Sequence, residues 1–314
     1  MKPKIDRSEI KNLQVNKDKP VLNKLSPYAF IAPHLFFFIV FMIFPTIYGI
    51  YLSFHSWDFF SSPVFVGLQN YADLIVNKDS LYFTYYWDAF KHTLLFVVFA
   101  VPLLISIPLL IAMAVDTKTW GSNFFRALFY APSLFSIATV ALIWIWMLDT
   151  NAGLVNYYLN KLGFENIPWL TDLPWAWVSI IVMTIWWTLG SNMILFLASL
   201  QDVSPELHEA AKIDGANAIH RFWHVTLPGI KNQMIFILIM TTIASFNIFG
   251  QPFMATKGGP GTDTKVLLMY IQEVAFTGSS EAGVASAMAI IMGFFLVIVS
   301  VIQFKVIGKE DKKA

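Results

Sequence analysis

Polar and apolar positions along this chain alternate by whole segments rather than by single turns. Six stretches contain no Asp, Glu, Lys or Arg: residues 25–57, 92–115, 127–148, 173–201, 232–256 and 282–304. Each reaches the roughly 20 residues that a helix needs to cross about 30 Å of hydrocarbon. In lipid every backbone polar group must be satisfied within its own segment, so the pattern predicts six membrane-spanning helices. Six charge-free stretches in one chain weigh against the buried core helices of a soluble protein. Pro45, Pro102, Pro108 and Pro132 lie inside these stretches and predict kinks. Shorter helices are expected around residues 70–76 and 154–162, and a turn at Gly258-Gly259-Pro260-Gly261.

Composition agrees. The 314 residues are 57% hydrophobic and 13% charged, about half the charge fraction of a soluble domain, and the mean hydropathy is +0.61. With no cysteine, disulfides, thiolate metal sites and cysteine nucleophiles are excluded. A net charge of +1 gives no reason to expect nucleic acid as a partner. The distribution of charge is more informative. Of the 21 basic residues, sixteen fall in alternate segments (before the first stretch, between the second and third, between the fourth and fifth, and after the sixth), and five in the others. The positive-inside rule then puts both termini, residues 116–126 and residues 202–231 in the cytoplasm. Trp57, Trp87, Trp169, Trp175 and Trp177 cluster at outward ends, as an interfacial aromatic belt would. Residues 1–24 read as a polar cytoplasmic tail ahead of a retained anchor, 25–304 as a six-helix transmembrane domain, and 305–314 as a second cytoplasmic tail.

The densest mix of charge, alanine and glycine lies in the cytoplasmic segment at 202–231. Ser204-Pro205-Glu206 is a helix start: a serine cap, proline at the first helical position and an acid at the positive end of the dipole. Leu207, Ala210, Ala211 and Asp214 share one face, and Gly215 supplies the stop. A second helical piece over 216–224 leads to Leu227-Pro228, which ends it before the fifth span. The string Glu209-Ala210-Ala211, three residues, Gly215, nine residues, Val225, one residue, Leu227-Pro228 resembles the EAA motif of membrane subunits of ATP-binding-cassette importers. Val66-Gly67-Leu68-Gln69-Asn70-Tyr71, Arg126-Ala127-Leu128-Phe129-Tyr130-Ala131-Pro132 and Gly258-Gly259-Pro260 are similar to the maltose/oligosaccharide branch of those permeases.

The resemblance implies a type I importer permease fold in the cytoplasmic membrane. It also implies partners: a second, homologous permease, two ATPase subunits and an extracytoplasmic solute-binding protein. Glu209, Ala210, Ala211, Asp214 and Gly215 would form the coupling helix that sits in a groove of the ATPase. No G-x-x-x-x-G-K-S/T string occurs, so the chain holds no nucleotide site; ATP and Mg would be bound by the ATPase, leaving this chain without a cofactor. No catalytic residue is expected. No metal is either: in the zinc-protease-like run His208-Glu209-Ala210-Ala211-Lys212, Lys212 stands where a second histidine ligand belongs, and His220 with His224 makes only two ligands.

An ion-coupled secondary transporter of a neutral solute is the rival class. Such proteins place acids or histidines in mid-membrane to carry the ion, and these spans hold no Asp, Glu, Lys or Arg there. The fourth span instead carries Thr184, Trp187, Thr188 and Ser191 at i, i+3, i+4 and i+7. A polar stripe in lipid must turn inward, toward other helices or a water-filled path. The fifth span adds Ser245, Asn247 and Gln251. Hydroxyls, amides and an indole without charge suit a sugar, whose apolar ring faces stack on aromatics, and a di- or oligosaccharide is the expected solute.

Overall fold

The computed structural model describes residues 20–116, 121–277 and 281–308, with the backbone alone for 20–27 and 307–308. It is helical apart from one two-residue hairpin. Among the described residues, five helices are long and apolar enough to cross a membrane, and a sixth crossing is made if one sharply bent pair counts as a single span. The chain divides into two units, Met1–Leu52 and Ser53–Ala314.

The first unit is one continuous helical rod, α1 (Pro20–Phe38), a π-helical turn (Ile39–Ile43) and α2 (Phe44–Leu52). Helix thus begins inside the segment expected as a tail; residues 1–19 lie outside the described residues. The apolar window Tyr28–Leu52 spans 25 residues, enough for a membrane crossing.

The second unit opens with a hairpin, β1 (His55–Ser56) antiparallel to β2 (Val64–Phe65), followed by α3 (Gln69–Ile75). Asn70 explains their placement. Its buried amide donates to the Ser53 and His55 carbonyls at 2.9 and 3.0 Å. α4 (Leu81–Asp116) runs for 36 residues through Pro102 and Pro108 without a break in the helix. At about 1.5 Å per residue it is longer than the hydrocarbon layer and carries its polar N-terminal turns outside it.

The third charge-free stretch departs from expectation. In place of one helix over 127–148 kinked at Pro132 stand α5 (Ser122–Tyr130), a 3₁₀ turn (Ala131–Leu134) and α6 (Ile137–Met147), with the two arms bent by 100°. Pro132 supplies no N–H within the 3₁₀ turn, Phe135 is extended, and Ser136 restarts the helix by accepting from the Thr139 N–H at 3.2 Å. The loop after α6 folds around Asn156 of α7 (Leu154–Lys161), which bonds Thr150, Ile167 and the Trp169 indole.

α8 (Trp175–Gln201) is the fourth span. The next loop carries α9 (Pro205–Ile213), then α10 (Ala218–Arg221), a π-helical turn (Phe222–Thr226) and α11 (Leu227–Gly229). The second helical piece ends, as expected, at Leu227-Pro228-Gly229 before the fifth span begins at Lys231, and the π turn re-registers the backbone where proline supplies no donor. The fifth span is α12 (Lys231–Phe246) and α13 (Gly250–Ala255), separated by Asn247-Ile248-Phe249. α14 (Leu267–Phe276) is a ten-residue apolar helix in the last loop, where sequence indicated only a turn at Gly258–Gly261. α15 (Ala282–Gly308) closes the unit.

α4 is the central packing helix, in contact with α8, α12 and α14. One buried cluster joins α4, α12, α14 and α15 around Tyr86, Phe246 and Met288; another joins α4, α8 and α12 around Phe196, Met193 and Ile237. Glycine permits a close approach of α8 to the end of α5. A Cβ on Gly190 of α8 would lie 2.4 Å from the Tyr130 Cα and 2.7 Å from the Phe129 carbonyl oxygen. These are backbone atoms, so relief requires moving one helix from the other. Gly190→Ala is expected to cost about 1–3 kcal/mol and to lower the midpoint of thermal unfolding in detergent. Gly293→Ala, with nothing within 4 Å, is the matched control. Equal midpoints in the two variants would contradict this packing.

Candidate functional site

The seven residues singled out in the fourth and fifth spans come together. Thr184, Trp187, Thr188 and Ser191 of α8 face Ser245 of α12, Asn247 of the helix break and Gln251 of α13 across one cavity of about 490 Å³. Ile137 of α6 and Phe96 and Leu104 of α4 complete the apolar part of its wall. No Asp, Glu, Lys or Arg lines it.

Most donors on this wall are already engaged. Thr184 and Thr188 hydroxyls donate to the carbonyls four residues back, at 2.7 and 2.8 Å. The Asn247 amide donates to the Ile243 carbonyl at 2.8 Å, closing the end of α12 and leaving its own carbonyl oxygen as an acceptor. The Trp187 indole N–H donates at 3.0 Å to the carbonyl of Phe135, the first of two extended residues, Phe135 and Ser136, at the bend of the third span. Trp187 therefore contributes its ring face to the cavity while its N–H satisfies a backbone group that the break exposes. Ser191, Ser245 and Gln251 have side chains with no hydrogen-bond partner among the described residues. The wall is neutral, with a few convergent polar atoms on an apolar lining.

Two polar residues of the wall went unnoticed in the sequence. Asn192 donates to the Leu104 carbonyl at 3.0 Å and lies 3.4 Å from the Thr241 hydroxyl, and both line the cavity. Asn192 continues the Thr184–Thr188 stripe by one further i+4 step and Thr241 lies four residues before Ser245, so the same periodicity reaches them. Ile137 and Gly250 had no such signal. They meet because the third and fifth spans both break: a Cβ on Gly250 would lie 2.9 Å from Ile137 Cγ1.

The second group lies in the loop that joins α8 to α12. Ser204 caps α9 by accepting from the Glu206 N–H at 3.3 Å. Gly215 has φ +81°, with the Ala216 N–H bonded back to the Ala211 carbonyl at 2.9 Å. Glu209, Ala210, Asp214 and Gly215 are exposed and Ala211 is half-buried. Leu207 and Ile213 of α9, Ile219 of α10 and Trp223 of the π turn are exposed beside them, so this loop presents apolar side chains that nothing among the described residues covers. Among the described residues, no group of three or more His, Asp or Glu side chains is placed to hold a metal ion. The His220 and His224 rings stack at 4.0 Å.

Broken apolar helices around a neutral cavity, joined through a capped, exposed loop helix, define a multi-pass membrane protein. The comparisons with known proteins agree. Residues 106–309 match the family described as binding-protein-dependent transport system inner membrane component. The chain is 32% identical over 297 residues to the probable ABC transporter permease protein YurN of Bacillus subtilis, covering 92% of this chain and 99% of that one. It is 30% identical to the arabinooligosaccharides transport system permease protein AraP of Halalkalibacterium halodurans, covering 92% and 90%. Among solved structures, a chain of the bacterial alginate ABC transporter in complex with its alginate pentasaccharide-bound periplasmic protein superimposes with a TM-score of 0.78 at 20% identity, over 94% and 99% of the two chains. The chain belongs to the family of binding-protein-dependent inner membrane components, and is an ABC transporter permease subunit.

If the cavity is an aqueous path it makes a direct prediction, helped by the absence of native cysteine. Ser191→Cys and Ala244→Cys, both at exposed positions on the cavity wall, should react with a small hydrophilic thiol reagent. Phe99→Cys, on an exposed face of α4 away from the cavity, should react at least about tenfold more slowly, because thiolate chemistry needs water. Equal rates at the three positions would show that the cavity is not an aqueous path.

Proposed function

We propose that this chain is one of two different permease subunits of an ATP-driven importer that moves a neutral sugar, a di- or oligosaccharide, into the cytoplasm. An extracytoplasmic solute-binding protein delivers the sugar, and two separate ATPase subunits bind ATP and Mg. The observation that carries the reading is the convergence of seven polar and aromatic residues from the spans on either side of the loop onto one uncharged cavity. A neutral wall favours a neutral solute, since an ion there would lose its hydration without a counter-charge. The Trp187 ring face offers stacking area to a sugar ring, and Asn247, Ser191 and Gln251 offer hydrogen bonds to hydroxyls. The name of the arabinooligosaccharide relative supports the same solute class.

The loop at 202–231 faces the cytoplasm in this reading, with both termini, and α9 is the coupling helix. Ala210 and Ala211 allow close approach to the ATPase, Glu209 meets a basic residue there, and the turn at Gly215 sets the angle at which the loop leaves the groove. Basic residues favour this side of the membrane.

The two halves of the reading separate in one experiment on the reconstituted transporter. Trp187→Ala and Asn247→Ala should each lower uptake several-fold, since loss of one stacking partner is worth about 1 kcal/mol, while the loaded binding protein still stimulates ATP hydrolysis. Glu209→Lys should abolish uptake by weakening co-purification with the ATPase, because it opposes like charges in a partly buried contact. Wild-type uptake in both cavity variants would remove the solute from this subunit. Normal assembly and uptake in Glu209→Lys would remove the coupling role.

A further inference from the structure

The loop between the fourth and fifth spans leaves the helical bundle and returns to it at one point. Val203 is the last residue before the Ser204 cap of α9, and Gly229 is the last residue of α11, two positions before α12 begins. A Cβ built on Gly229 would lie 2.8 Å from Val203 Cγ2 and 3.3 Å from Cγ1. The two ends of the loop therefore touch, glycine backbone against valine methyls. Val203 and Ile230 are buried in the same cluster as Val115 of α4, Phe196 and Leu197 of α8 and Ile237 of α12. Outward from this neck, α10, the π turn and α11 form one uninterrupted helical piece from Ala218 to Gly229. Thr226, buried, reaches the Arg221 carbonyl at 3.5 Å across the π turn.

We infer that the Val203–Gly229 contact is the point at which a displacement of α9 is delivered to both spans at once, so that these are positioning residues for ATP-coupled movement of the cavity wall. The inference rests on the coupling role proposed for the loop. A push on α9 reaches α8 directly along the chain through Val203. It reaches α12 by two routes, around the loop through the Gly215 turn or straight across the neck. A Cβ on Gly215 would meet nothing within 4 Å, so the route around the loop passes through a corner held by hydrogen bonds, the Ala216 N–H to the Ala211 carbonyl and Arg221 to the Ala216 carbonyl, with no side chain packed against Gly215 itself. At the neck the buried Val203 methyls pack directly against the Gly229 backbone, whose other side is exposed, and a close-packed contact transmits displacement rather than absorbing it. Without it, α8 would move while α12 lagged, and the cavity residues of the two spans would not shift together.

The geometry supplies its own rescue. Ala at 229 collides with the Val203 methyls, but the same Cβ would lie 3.7 Å from Val203 Cβ, an ordinary contact distance. Gly229→Ala with Val203→Ala therefore rebuilds a methyl-to-methyl neck that each single change spoils. The test uses the full complex with the partner permease and ATPase subunits, carrying Ala244→Cys as a reporter on the cavity wall. The readout is the rate of modification by a small water-soluble methanethiosulfonate, with and without ATP, Mg and vanadate; no transported solute is needed. In the otherwise wild-type complex, trapping should change the rate. In Gly229→Ala, ATP hydrolysis should persist while the change in rate shrinks about fivefold or more, the scale of effect expected of an overpacked contact. The double variant should recover most of the response. An unaltered response in Gly229→Ala, or a double variant no better than the single, overturns the proposal, as does a failure of both to assemble. If the reporter ignores ATP before any substitution at the neck, the coupling role of the loop falls, and this inference with it.

Discussion

A membrane interior offers no water to a backbone N–H or C=O, and this constraint shapes everything else in the molecule. A helix can break there only where another part of the chain takes up the groups it releases. Two breaks border the cavity, and each is closed by a side chain. At the bend of the third span the Phe135 carbonyl accepts from the Trp187 indole. At the gap in the fifth, the Ile243 carbonyl accepts from the Asn247 amide. The bend of the third span and Trp187 explain one another: without the indole the Phe135 carbonyl would lose its donor, whereas at the fifth span the Asn247 side chain adds a second donor to an Ile243 carbonyl that already accepts from the Asn247 backbone N–H at 3.2 Å. Glycine sets the closeness of the arrangement, at Gly190 against Tyr130 and at Gly250 against Ile137.

The cavity and the loop are neighbours in the chain, which is why they can be neighbours in function. α8 and α12 furnish the polar wall, and the loop at 202–231 is the only covalent connection between them. In the proposed coupling, a partner that gripped α9 would act on both sides of the wall. The molecule does no chemistry of its own, and its side chains are suited to that: neutral where a solute would pass, charged where a partner would hold, and close-packed between.

Much of this is legible in the sequence because lipid punishes charge so heavily that the spans announce themselves by its absence. Helix starts and stops were readable for the same reason of local chemistry, as at Ser204, Pro205 and Gly215. The polar stripe of α8 was readable because a period of 3.6 is enforced by the helix itself. What escaped was whatever depends on a distant partner. Pro132 reads as a kink, but a 100° bend needs an acceptor's donor 52 residues away, Trp187, to be tolerable. Asn247 could be noticed as polar, yet its role in ending α12 appears only with the break in view. α14 was hidden by Glu273, which pairs with Lys265 and so interrupts an otherwise apolar run. Gly190 and Gly229 are ordinary glycines until the backbone of Tyr130 and the methyls of Val203 are placed against them.

The central claim is that a neutral wall built from the fourth and fifth spans selects an uncharged sugar. It is tested most directly by competition during ATP-driven uptake in proteoliposomes holding the full transporter and its binding protein. A labelled neutral arabino-, malto- or xylooligosaccharide is the probe, challenged by unlabelled neutral oligosaccharides and by uronic-acid oligosaccharides of the same length. The account predicts uptake of a neutral probe, and competition by neutral sugars at concentrations at least about tenfold below those at which the anionic ones act, since a buried charge without a partner is strongly disfavoured. Equal competition by the anionic series, or transport of the anionic sugars alone, would contradict it.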